Sequence, residues 1–97
     1  MSPQVRRTGA LDAMPVSELV QLPIDWMRGK DARFIALVAS LAGGSDIREP
    51  VRVLVCGCGQ TYLLDDGGHR ISAAFDHFKR TGEDLRLPVE RLVADFP

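Results

Sequence analysis

A chain of 97 residues can enclose one modest core and has little length left for a second. Its apolar fraction of 45% and charged fraction of 26% are those of a globular domain, which sets aside the disordered and fibrous classes. Twelve Lys and Arg against thirteen Asp and Glu leave a net charge of −1, so no bulk field draws the chain to nucleic acid or to an anionic membrane. No apolar run approaches the ~20 residues of a membrane span, and residues 1–10 carry two arginines with no apolar stretch behind them; the sequence predicts a soluble, cytoplasmic protein with no membrane partner.

Along the chain, residues 1–10 lack periodicity and read as a flexible arm, with a single domain over 11–97. Ser17 stands as a cap before a short apolar turn, and Leu22-Pro23-Ile24 is too proline-marked for a central strand, so an edge strand or a short helix is expected there. Asp31 is an N-cap for a helix over 31–41, whose apolar face is Phe34, Ile35, Leu37, Val38 and Leu41 and whose stop is Gly43-Gly44. Pro50 opens a β-branched run to Cys56, and residues 57–60 turn it into Thr61-Tyr62-Leu63-Leu64, which makes a β-hairpin. Ile71, Ala74, Phe75 and Phe78 define the buried face of a second helix over 69–80, closed by Gly82. The tail 87–93 is extended in character, and Pro88 favours an edge position for it.

Cys56 and Cys58 are the only cysteines. One intervening glycine is a poor geometry for a mutual disulfide, and no second Cys/His pair has finger-like spacing, so both read as small apolar residues in a reducing compartment. Trp26 reads as a core anchor and His77 as a solvated surface residue.

The chemistry concentrates in Asp65-Asp66-Gly67-Gly68-His69-Arg70, which joins strand to helix. A helix start has backbone N–H groups without partners, Gly67 and Gly68 permit close approach of a ligand, and Arg70 offers a planar fork for phosphate oxygens. His69 can donate a hydrogen bond or move a proton near neutral pH. Asp65 and Asp66 beside a phosphate call for a metal ion or a reacting hydroxyl between them, with Asp66 as the metal ligand. The same string is also an ordinary strand-to-helix turn, with Asp66 as a cap and Arg70 paired to Asp66 or Asp76; the residues alone leave both readings open at about even weight.

Element order and motif together resemble the ParB N-terminal and sulfiredoxin-like superfamily over residues 16–93. Gly67-Gly68-His69-Arg70-Ile71-Ser72-Ala73-Ala74 is similar to the ParB box that wraps the triphosphate of CTP. It also resembles the Gly-Gly-Cys-His-Arg signature of ATP-binding sulfiredoxins and the Asp-Gly-His-His-Arg form of related phosphotransferases. The resemblance implies a small α+β fold, a mixed sheet with a hairpin packed against two main helices. It implies a nucleoside triphosphate, CTP or ATP with Mg²⁺, held by Gly67, Gly68, His69 and Arg70, and hydrolysis or phosphoryl transfer through Asp65, Asp66, His69 and Glu49.

The departures narrow this. Gly68 occupies the place of the sulfiredoxin nucleophile and has no sulfur, so sulfinic acid repair is not expected. Glu49 replaces the ParB glutamine before the proline, so preference for cytosine is not implied. Chromosome-partitioning ParB proteins continue into a helix-turn-helix and a dimerisation domain, whereas this sequence ends at Pro97, which points to a stand-alone domain without a strong hold on DNA. Two alternatives stay open: a non-enzymatic interference module of plasmid or phage type acting on a protein partner, and a metal-dependent nuclease. Arg28, Lys30 and Arg33 surround the start of the first long helix, and one of them is expected at the phosphates.

Overall fold

The computed structural model describes residues 4–56 and 60–95. Four strands form one mixed sheet in the order β1-β4-β2-β3: β1 (Gln4–Pro15), β2 (Val51–Cys56), β3 (Thr61–Asp66) and β4 (Arg86–Asp95). β1 and β3 run antiparallel to their neighbours, and β2 and β4 are parallel. The helices are α1 (Val16–Leu19), α2 (Ala32–Ala42) and α3 (Gly68–Thr81). This is the small α+β arrangement expected, with the hairpin and both main helices where the apolar spacing places them.

Alternation on β2 buries Val51, Val53 and Val55 and leaves Arg52, Leu54 and Cys56 half-buried. Val51 and Val53 meet Leu87 and Val89 of β4, Ile71 and Ala74 of α3, and Val16 and Leu19 of α1 in the main core. Each fully buried aliphatic side chain contributes about 1.5–3 kcal/mol, so this one-sided cluster is what fastens α3 to the sheet. α2 docks on α3 through Phe34 and Leu41 against Ala73, whose small side chain lets the helices approach. Asp31 caps α2 as the sequence predicts, its carboxylate accepting from Phe34 N at 3.0 Å.

Three expectations change. The arm over 1–10 is, from Gln4 onward, part of β1: the strand is held by its ladder to β4, across a register shift between Arg7 and Leu11, not by an apolar pattern of its own. The tail strand β4 is internal, not an edge. Pro88 is tolerated because the parallel ladder to β2 begins only one residue later, at Val51↔Val89, where its missing N–H breaks no pairing to β2. Cys56 is disulfide-bonded, against the expectation of an unpaired thiol. Cys58, with Gly57 and Gly59, lies outside the described residues.

Smaller points fix the loops that flank α3. Residues 16–19 take the short-helix option, but Ser17 does not cap it: its backbone N–H and its hydroxyl both donate to the Asp84 carboxylate and hold that group below the ordinary 3.8. Trp26 is indeed a packing residue, edge-on to Phe75 with ring centroids 5.3 Å apart and its Nε1 donating to Val20 O. His77 is largely covered, with Nε2 2.7 Å from Glu83 Oε1, rather than solvated.

Candidate functional site

Ser72 on α3 sets the geometry of the site. Its hydroxyl donates to Trp26 O and accepts from Arg28 N, both at 3.0 Å, so the 26–31 segment is pinned across the first turn of α3. Asp31 therefore starts α2 beside His69, and the two helix starts converge. His69 Nε2 lies 2.7 Å from Asp31 Oδ2. The backbone N–H of Phe34, first, and then the hydrogen bond with His69 hold the Asp31 carboxyl below its ordinary 3.8.

The two glycines have different tasks. Gly67 ends β3 with φ of 112°, a left-handed conformation, and a Cβ built there would sit 3.0 Å from Val51 Cα. Gly68 lies beneath the Arg28 guanidinium: a Cβ there would be 2.5 Å from Arg28 Cζ. Arg28 is held in that place by donating from Nη1 to Asp25 O at 2.7 Å and Met27 O at 2.9 Å. The space over both glycines, expected to be open to a ligand, is thus taken by Val51 and by Arg28.

Arg70 is buried. Its Nη2 donates to Glu49 Oε2 at 2.6 Å, its Nη1 donates to Pro50 O at 3.1 Å, and Asp66 Oδ2 lies 3.6 Å from Nη1. Of the two partners the sequence suggested, Asp66 is taken and Asp76 is not; Asp76 pairs with Arg80 at 2.7 Å. Arg70 thus ties the start of β2 and the end of β3 to α3, and brings Glu49 and Asp66 to one place.

These residues border a pocket of about 450 Å³ between α2, residues 46–49 and the first turn of α3. Of the residues singled out from the sequence, Glu49, Asp66, Gly67, His69 and Arg70 line it. Asp65 does not: it follows the strand alternation away from Asp66 and is exposed. Gly68 is also absent from the lining. The remaining wall is apolar, with Leu37, Leu41 and Ile47, and carries Asp46, Arg33 and Arg48. Arg33 and Arg48 are exposed, and their side chains have no ion pair or hydrogen bond to another described residue. Arg33 belongs to the set expected near the ligand. Arg48 was missed; its signal was its place two residues before Pro50, at the start of the predicted hairpin, on the side from which Glu49 was chosen.

Among the described residues, no three His, Cys, Asp or Glu side chains are grouped to hold a metal ion. Asp66 and Glu49 both face the Arg70 guanidinium, so a divalent cation at Asp66 would have to displace a buried cation, and the donor set does not fit one. No helix among the described residues is long and apolar enough to cross a membrane.

No family model matches the chain, and no curated protein matches it. Among solved structures, "SbnI with C-terminal truncation from Staphylococcus aureus" aligns with a TM-score of 0.50 at 24% identity. The match covers 84% of this chain and 30% of that one, so the shared part is under a third of the longer protein. At this identity the likeness is one of fold alone, and it agrees with the small α+β arrangement described above.

Proposed function

We propose that the chain is a ParB/sulfiredoxin-like domain that binds the phosphates of a nucleoside triphosphate, ATP or CTP, in the pocket between α2 and α3. The observation that carries this reading is the lining itself. Two arginines without partners among the described residues, Arg33 and Arg48, share a pocket of ligand size with the apolar Leu37, Leu41 and Ile47. A cation with no structural partner is free for an anion, and an apolar wall beside it suits a base. The phosphate contacts thereby pass from Arg70, which is committed to the fold, to Arg33 and Arg48, with Gly67 and His69 completing the wall. Hydrolysis or phosphoryl transfer would draw on Glu49, Asp66 and His69, because such chemistry is mostly positioning and charge stabilisation.

A thermal-shift panel with CTP, ATP, GTP and inorganic phosphate, each with and without Mg²⁺, tests the reading. A nucleotide present at 100 times its Kd adds about 2.7 kcal/mol to stability and raises the melting temperature visibly. No shift with any nucleotide removes the reading. A different reading then gains ground, since α2 has one charged residue and leaves Ile35 60% exposed, an apolar surface suited to a protein partner.

A further inference from the structure

We propose that Asp31 is a positioning residue that keeps the ring proton of His69 on Nε2, so that Nδ1 is left to accept a hydrogen bond from a hydroxyl of the bound nucleotide. The inference rests on the nucleotide reading above and assigns within it a role opposite to the one the sequence suggests for His69. A neutral imidazole has one donor and one acceptor nitrogen, and the partner of the first decides which is which. Here Nε2 lies 2.7 Å from the Asp31 carboxylate, which can only accept while ionised. That carboxylate is itself held in place, because its other oxygen, Oδ1, caps α2 through Phe34 N at 3.0 Å. Its ionised form is favoured by both contacts.

His69 borders the pocket while Asp31 is not among its lining residues; on this proposal the nitrogen committed to Asp31 is the one turned from the ligand. Nδ1 makes no hydrogen bond to a described residue. A lone pair meets a phosphate oxygen unfavourably and a hydroxyl favourably, whereas Arg33 and Arg48 supply donors for the phosphates in the same pocket. The pocket therefore distinguishes a sugar-bearing phosphate from a bare one. Asp31 also explains why its pairing with His69 spans the two helix starts: a single carboxylate fixes the entry of α2 and the tautomer of a pocket residue on α3.

The test uses two probes, ATP and inorganic tripolyphosphate, titrated calorimetrically at fixed ionic strength into the wild type, Asp31→Asn and His69→Phe. Asparagine keeps the helix cap. Both variants should bind ATP about three- to ten-fold more weakly, the worth of one hydrogen bond, with tripolyphosphate affinity unchanged. Two-bond nitrogen–proton spectra of the wild type should place the His69 proton on Nε2, a signature that a purely structural contact would not require in the ligand-bound state, and Asp31→Asn should shift it toward Nδ1. Equal losses for both probes, no loss for ATP, or a proton on Nδ1 in the wild type would overturn the inference and leave the nucleotide reading standing. Failure of ATP to bind the wild type would remove both. If Asp31→Asn does not fold, His69→Phe and the wild-type spectra decide the matter alone.

Discussion

Gly67→Val should lower the melting temperature by about 15 °C, the largest effect expected of any single change at the site. A side chain in the left-handed region costs about 1–2 kcal/mol, and more when β-branched. Here it would also bring Cβ to 3.0 Å from the Cα of Val51, a fully buried residue on an inner strand that cannot step aside. The sum is about 3 kcal/mol, and each kcal/mol lowers the melting temperature of a domain this size by roughly 4–8 °C. Gly68→Ala is the control. Its Cβ meets only the end of the Arg28 side chain, which can swing away, so the fold should hold while Arg28 leaves the helix start. Thermal denaturation followed by circular dichroism separates the two; equal stability of Gly67→Val and the wild type would mean that β3 does not hand over to α3 in the way described.

Arg70→Ala should cost about 2 kcal/mol of stability, some 10 °C by the same scaling. The guanidinium is buried and joins three parts of the chain, through Glu49, the Pro50 carbonyl and Asp66. The figure is kept low because Glu49 is 79% and Asp66 50% exposed, and both can be resolvated when the arginine is gone. Arg70→Lys, which retains the charge but not the fork, should fall between the two. A variant as stable as the wild type would restore Arg70 to the role of a free phosphate ligand.

That reversal shows where the sequence is informative and where it stops. The cap at Asp31, the buried stripes of α2 and α3 and the alternation of β2 are local patterns, and they are legible because the apolar face of each element is set by its own period. β1 was not, because Thr8, Gly9 and Ala10 interrupt any alternation and the strand exists through its ladder with β4. The position of β4 followed from a rule about proline that holds for ladders on both sides, and Pro88 stands where one ladder has not begun. At the site, Asp66-Gly67-Gly68-His69-Arg70 announced a strand-to-helix turn with charge, and that much is real. What each side chain does there depends on partners far off in sequence. His69 is 38 residues from Asp31, Arg70 is 21 from Glu49, and Gly68 is covered by Arg28 from another loop. Arg33 and Arg48, whose side chains have no partner among the described residues, could be recognised only once Arg70 and His69 in the same pocket had found their carboxylates.

Calorimetric titration of ATP and CTP into the wild type and the double variant Arg33→Ala, Arg48→Ala tests the pocket most directly. Both residues are exposed and without partners among the described residues, so the variant should melt within a degree or two of the wild type. A charge-assisted contact contributes about 1.5–3 kcal/mol, so the loss of two should weaken binding by at least about two orders of magnitude. Wild-type protein that takes up neither nucleotide, or a double variant that binds as tightly as the wild type, would contradict the assignment of this pocket to nucleotide phosphates.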